Sequence, residues 1–507
     1  MTALMLILLL LAVVAALRLL ADRCGVPLPT LLVLGGLGIA LAPGLPHLAI
    51  DPDTIFLIFI PPLLFWASLR TSLRDLRRNL RAITLLAVGM VLATMAAVAR
   101  TTHAFLPQIP LAACFVLGAI VSPPDAVAVI ASTRRLSLPR DTLVILEGES
   151  LVNDAAALVA YQIAIAAVVS GTFSISHAAV GLLLTGIGGI AIGLVTGWSV
   201  GWMRLRMRRS SLVENTFSLL SPFVAFIPAN LLGCSGVLAV VTMGLYFGRK
   251  GPRVLSAPTR LQGTAMWEIL TFLLEGLIFI LIGLELPGVF RALDPGTFGN
   301  LIGVSLVVVC AMIATRIVLV FVGAYLPRWL DGLRTGKSAG YPPWRHLLFT
   351  GWAGIRGGDS LVIALALPYA VSAGSPFPAR NAIIFITFVV ILVTLVLQGF
   401  TLSPLIKLLG IVGGDEEEQE ERRARRACAA AGAGMLDRMQ AAGGDSAPAS
   451  SLRGMALPSS APVRLKMIAE QRETVIDLRD RDAISDTVMR RLLSELDHEE
   501  MALTREP

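Results

Sequence analysis

The stretch SPPDAVAV, Ser122 to Val129, lies in the middle of an apolar run that extends over 111–132. Two consecutive prolines remove two backbone N–H donors and obstruct a helix. Pro123 also disfavours helical backbone angles at Ser122. A helix broken at membrane depth is tolerated only where it is buried in protein or lines a cavity. The freed carbonyls and the Asp125 carboxylate then face an ion or a polar partner. The stretch therefore predicts a membrane helix interrupted at a functional site.

The rest of the chain suits a membrane setting. Of its 507 residues 55% are hydrophobic and only 15% are charged, and the mean hydropathy is +0.76. A soluble domain carries about 25% charged residues, so ordinary globular folds, disorder and disulfide scaffolds are excluded. Runs long enough to approach the roughly 20 residues of a membrane span fall near 3–20, 28–46, 54–69, 82–106, 111–132 and 143–170. Others fall near 178–203, 213–232, 236–248, 264–286, 299–326, 346–371 and 380–410. The expected fold is an all-α polytopic membrane protein of about 13 transmembrane helices over 1–410. The first run lacks a small-residue cleavage site and is expected to be a retained helix.

Charge sets the expected orientation. The net charge of +7 divides unevenly: 28 basic and 16 acidic residues in 1–410, 14 basic and 19 acidic in 411–507. Loops that follow odd-numbered spans hold 22 Lys and Arg, and those that follow even-numbered spans hold Arg100, Arg291 and Arg380. Basic loops stay in the cytoplasm, which predicts an external N-terminus and a cytoplasmic tail. The basic excess is a topology signal, so no nucleic-acid partner is expected. The cysteines and histidines are scattered, without metal-site spacing.

Two further motifs concentrate ionisable residues at membrane depth, where each is a functional candidate. In LEGESLVNDAAAL, Leu146 to Leu158, Glu147, Ser150 and Asp154 share one helical stripe, and Glu149 and Asn153 share the next. Three carboxylates on one side of a helix need basic partners, protons or cations. In GWAGIRGGDSLVIALALP, Gly351 to Pro368, four glycines within eight residues weaken the helix around Arg356. Glu149 or Asp359 is the candidate partner of Arg356. Arg316, in the eleventh run, is a second buried cation, with Glu147 or Glu275 as candidates. Interrupted spans five and twelve occupy corresponding places in two six-span halves, the pattern of a transporter's midplane site. Carboxylates and carbonyls are hard oxygen ligands that suit a small alkali cation. No Rossmann or P-loop pattern supplies a nucleotide cofactor.

SPPDAVAV, GESLVND and GWAGIRG, in this order and spacing, resemble the bacterial sodium/proton exchangers of the cation:proton antiporter-1 family; PPLLFWASLR, Pro61 to Arg70, adds a weaker match. The resemblance implies two inverted six-helix repeats with crossing broken helices 5 and 12, a homodimer, and a place in the bacterial inner membrane. It implies no cofactor and electroneutral exchange of one Na+ for one H+, with both ions at Asp154. It also implies that Asp125, Ser150 and Asn153 assist, that Glu149 and Arg356 form a structural ion pair, and that Na+ lies at Asp154, Asp125 and Ser150. Three positions depart from the pattern: Trp66, where some relatives carry Glu; Pro124, where many carry Thr; and Asp359, where many carry a small apolar residue. Asp359, with Glu147 and Glu275, is a candidate modulator.

Potassium/proton exchange stays open, since carboxylates do not by themselves select Na+ from K+. A hydrolase reading rests on GDSL, Gly358 to Leu361, but its serine needs a histidine base. His346 lies about 21 Å away along a continuous helix, and a transporter rather than an enzyme is expected. The tail, 411–507, opens with acidic residues and four arginines and continues through a Gly/Ala/Ser/Pro-rich stretch. It is expected to be partly disordered, with one helix over about 463–500 marked by Ile476, Ile484, Val488, Leu492 and Leu496.

Overall fold

The computed structural model describes residues 3–24, 26–41, 52–78, 80–133, 139–170, 175–206, 210–291, 296, 298–335, 341–371, 375–411, 416–441 and 461–505. The described residues form helices and no named strand. In chain order these are α1 (Ala3–Cys24), α2 (Leu28–Ala40), α3 (Pro52–Arg70), α4 (Leu73–Arg78), α5 (Leu80–Phe105), α6 (Leu111–Val121) and α7 (Ala126–Thr133). There follow α8 (Arg140–Ser170), α9 (Ile175–Arg206), α10 (Ser211–Leu231), α11 (Gly236–Val254), α12 (Ala257–Arg291) and α13 (Phe298–Thr335). The last are α14 (Trp344–Trp352), α15 (Gly358–Leu365), α16 (Arg380–Leu409), α17 (Glu416–Ala441), α18 (Ala461–Asp480) and α19 (Asp486–Arg505).

Among the described residues, each of the thirteen apolar runs falls on one helix or on a broken pair. The pairs are α6 with α7 and α14 with α15, where the Pro-Pro and the glycine cluster lie. Among the described residues, seven helices are long and apolar enough to cross a membrane, and α2, α3 and α6 are shorter apolar helices. Many leucines, valines and tryptophans on their outer faces are exposed, Leu183, Leu184, Ile187 and Trp198 of α9 among them. Such a surface is stable against hydrocarbon rather than water, so the chain is a multi-pass membrane protein.

The chain divides into two compact units. The first, residues 1–198, 221–246 and 269–413, contains both broken pairs. Its interior includes α6, whose residues Ala113 to Val121 are almost all buried, and the buried face of α16 from Ile383 to Leu409. The second contains 199–220, 247–268 and 414–507. Here Trp267 donates its indole N–H to Ser218 Oγ (3.0 Å).

The tail differs from its sequence reading in two ways. The described part of its acidic opening, from Glu416 to Glu421, lies in the first two turns of α17, held by i,i+4 pairs Glu418–Arg422 and Glu421–Arg425 (3.0 and 2.7 Å). The segment expected as one helix is two, α18 and α19, separated at 481–485, where Asp482 takes a left-handed φ of 64°. Ala424 of α17, Val475 and Ile476 of α18, and Val488, Met489, Leu492 and Leu493 of α19 share one apolar core. Ion pairs Arg425–Glu495 and Arg491–Glu417 (2.8 and 2.9 Å) tie α17 to α19. Hydrogen bonds from Arg425 and then Arg491 hold the Glu421 carboxyl below the usual range. The stretch 442–460 lies outside the described residues.

Candidate functional site

Backbone hydrogen bonding at the first break accounts for its shape. α6 ends at Val121, and the Ser122 hydroxyl donates back to Ala119 O (2.9 Å). Pro123 and Pro124 have no N–H to offer. α7 then starts at Ala126 with Asp125 as its cap, because Ala128 N–H donates to Asp125 Oδ1 (3.1 Å). This is the N-cap bond to the third helical residue. The ion-site reading of the motif overlooks this capping role, although an aspartate directly before a helical run is a legible signal for it.

The second break is a tight turn. Ala353 N–H donates to Phe349 O and Gly354 N–H to Trp352 O, both at 2.8 Å. Ala353, at φ −73° and ψ 62°, has the angles of an inverse γ-turn. Residues 353–357 leave the helix, and their polar backbone groups need partners from elsewhere. Arg356 N–H donates to the Thr394 hydroxyl of α16 (3.2 Å). Ile355 O accepts the Asp125 N–H at 2.8 Å, so the two breaks meet and a donor of one satisfies an acceptor of the other.

Glycine makes the crossing close enough. A Cβ on Gly357 would overlap the Asp125 carboxylate, and one on Gly354 would lie 2.6 Å from Arg316 Cδ. Gly357→Ala is therefore expected to displace Asp125 and cut exchange at least about tenfold with little loss of folded protein, since the moving group is a side chain. Transport and detergent stability measured on one preparation check this; full transport would show that Asp125 has no fixed place.

α8 brings its stripe to the crossing. Ser150 Oγ donates to Pro124 O at 3.3 Å, and Ala126 N–H approaches the same hydroxyl oxygen at 3.5 Å. Ser150 thus binds the first break directly. Asp154 is electrostatically linked to Asp359, Asp125 and Arg356, and Asp359 to Asp125. The expected residues Asp125, Ser150, Asp154, Asp359 and Arg356 therefore gather at one place. Among the described residues, no three His, Cys, Asp or Glu side chains are grouped closely enough to hold a metal ion by themselves. A cation here would need hydroxyl and carbonyl oxygens as well.

The expected pairing of Glu149 with Arg356 is corrected. Arg316 of α13 holds Glu149 in a two-pronged bond, Nη1 to Oε1 at 2.6 Å and Nη2 to Oε2 at 3.2 Å. Both side chains are 2% exposed. Glu149 thus takes the place that the sequence suggests for Glu147 or Glu275 beside Arg316. The Gly354 notch explains the outcome, because it admits the Arg316 stem alongside the turn. Asn153 completes the arrangement by donating to Glu149 Oε1 (3.1 Å); its role here is toward the pair. Arg356 stays within electrostatic range of Glu149 and Asp154, but its Nε and Nη1 have no hydrogen-bond partner among the described residues. The Glu147 side chain lies outside the described residues. Thr394 is invisible to motif reading, being a hydroxyl in an apolar run with no motif around it. The GDSL serine, Ser360, is buried in α15, with His346 in α14 on the other side of the turn.

A sodium/hydrogen exchanger transmembrane family model matches residues 8–408, a range that includes the whole crossing. The chain belongs to the sodium/hydrogen exchanger family. An uncharacterized Na(+)/H(+) exchanger of Mycobacterium tuberculosis is 40% identical to this exchanger over 392 residues, 76% of this chain and 71% of that one. A sodium, potassium, lithium and rubidium/H(+) antiporter of Bacillus subtilis is 37% identical over 73% of this chain and 56% of that protein. Among solved structures, the sodium proton antiporter MjNhaP1 of Methanocaldococcus jannaschii at pH 8 shares the fold. The match has a TM-score of 0.61 at 20% identity, over 80% of this exchanger and 99% of that chain.

Proposed function

We propose that this exchanger moves Na+ against H+ across the membrane by alternating access, with both ions competing for Asp154. The observation that carries the reading is the Asp125 N–H to Ile355 O bond, which joins the two breaks beside Ser150 of the α8 stripe. Asp154 would take either a proton or Na+. Asp125 and Ser150 would assist with a carboxylate and a hydroxyl, and the freed carbonyls with further oxygens. Glu149, Arg316 and Asn153 would form the fixed frame. We read the thirteen helical runs as thirteen crossings in two inverted repeats, with the N-terminus outside, the tail in the cytoplasm, and a homodimer in the bacterial inner membrane. Broader cation use, including K+, is supported by the Bacillus subtilis relative named for four alkali cations.

Competition at one site has a defined sign. More protons occupy Asp154 as pH falls, so the apparent KM for Na+ rises, by up to about tenfold per pH unit, and levels off at high pH. Sodium-driven pH change in everted vesicles, with each alkali chloride in turn, measures this. A pH-independent KM would rule out a shared site.

Stoichiometry is the finer test. Once Arg316 is given to Glu149, Arg356 is left as the cation near Asp154, which is itself linked to Asp359 and Asp125. One-for-one exchange requires that Asp359 keep a constant charge through the cycle. Equal rates at zero and at a large negative membrane potential are then expected. A strong voltage dependence that vanishes in Asp359→Ala would overturn electroneutral exchange.

A further inference from the structure

The half-helix α15 is fastened at the end remote from the two breaks. Arg380, the first residue of α16, donates Nε to Leu367 O (3.0 Å) and Nη2 to Leu365 O (3.1 Å). Its guanidinium lies over the Tyr369 ring, 4.3 Å from the centroid. Tyr161 of α8, two turns beyond Asp154 on the same stripe, donates its hydroxyl to Ala366 O at 3.4 Å. Three successive carbonyls at a helix C-terminus, where acceptors are otherwise left open and the dipole is negative, each have a side-chain donor. With a guanidinium on two of them, they no longer attract a second cation.

Beside that end lies a small gap between α12, α15 and α16. Ile282, Glu285, Leu361, Leu365, Ile384 and Phe388 line it, and its free space is about that of one water molecule. The gap has a direction. Ile278 of α12 meets Gly358, the first residue of α15, where a Cβ would lie 2.6 Å from Ile278 Cγ2. Ile282 and Glu285 follow on the same face of α12, and Leu361 and Leu365 follow Gly358 on one face of α15. The two helices therefore run side by side from the breaks to Glu285, about 10 Å at 1.5 Å per residue. At the near end Gly357 lies against Asp125, and Asp359 follows Gly358. At the far end Glu285 is the ionisable group of the lining, within electrostatic range of Arg380. A carboxylate in an apolar wall at membrane depth is costly and marks a functional candidate. Arg291, which ends α12, and Arg380, which starts α16, belong to the loops expected outside, so the far end is the outer end. We propose that this gap is the outer ion lane of the exchanger, and that Glu285 recruits an alkali cation into it toward Asp154. A unit charge about 10 Å from the site changes cation affinity there by about threefold to tenfold, at an effective dielectric between those of a protein surface and water. This inference rests on the antiport reading and on the external placement of the loops after even-numbered spans.

The test uses the full chain in right-side-out vesicles. Glu285→Gln is expected to raise the KM for external Na+ about threefold to tenfold at low ionic strength, with a smaller change in the maximal rate and in the KM at the inner face. Added choline chloride should narrow the difference by screening the charge of the natural chain, and Glu285→Asp should restore most of the affinity. An unchanged external KM, or an equal rise at both faces, overturns recruitment by Glu285. A second measurement needs no transport. In a chain whose five native cysteines are replaced by serine, Glu285→Cys should react with a membrane-impermeant cationic methanethiosulfonate added outside, read as a mass increase of the protein. Reaction from the inner face alone, or from neither face, overturns the outer lane. Loss of sodium-driven exchange in the natural chain would sink the antiport reading instead, and the labelling result would still report on the lane.

Discussion

Asp154→Asn is expected to bring sodium-driven pH change down to the level of vesicles without the protein. Asparagine keeps the size of the side chain and removes its ability to carry a proton or balance a cation. The loss should not come from unfolding. Among the described residues Asp154 has no ion-pair partner, and its electrostatic neighbours include two other carboxylates, Asp359 and Asp125. Removing a negative charge there relieves repulsion. Detergent-solubilised Asp154→Asn should therefore melt at or above the temperature of the natural protein while transport is lost. Retained exchange would disprove the assignment of Asp154, and a lower melting temperature would indicate a structural role for its charge.

Arg316→Ala is expected to have the largest effect on folding. It strands Glu149, which is buried and keeps, among the described residues, the Asn153 amide as its hydrogen-bond partner. Removing one member of a buried pair costs about 3–5 kcal/mol, because the other charge stays behind. A large fall in the yield and melting temperature of solubilised protein is expected. Glu149→Gln in the same chain should restore part of it, since glutamine carries no charge to strand. Arg356→Ala should cost less, because two of the Arg356 nitrogens make no hydrogen bond to the described residues. If Arg356→Ala proved the more damaging, with rescue by Glu149→Gln, Glu149 would belong to Arg356, as the family resemblance implies, and not to Arg316.

Much of this arrangement is legible in the sequence. The two interruptions can be read there because proline and clustered glycine act on the backbone locally, whatever surrounds them. The α8 stripe follows from helical geometry alone. The partner of Glu149 cannot be read in this way. Choosing between Arg316 and Arg356 depends on the depth and rotation of α13 beside the turn at Gly354, and neither leaves a mark in the sequence. The crossing bond is similarly hidden, since nearly every residue has an N–H and a carbonyl. In the tail, a composition rich in alanine, glycine and charge conceals α17. Its Glu418–Arg422 and Glu421–Arg425 spacing is a usable helix signal. The break between α18 and α19 is masked by apolar residues that keep helical spacing across it.

The crossing bond also has a bearing on how the protein is made. Asp125 leaves the ribosome 230 residues before Ile355, whose carbonyl its amide needs. Through that interval the first interrupted helix has polar backbone groups that hydrocarbon cannot satisfy. It must remain beside water or the insertion machinery until the second interruption arrives. Assembly of the proposed ion site is therefore a late event, completed only when the twelfth apolar run has been delivered. A nascent chain stopped before that run would have every residue of the α8 stripe and still lack a site.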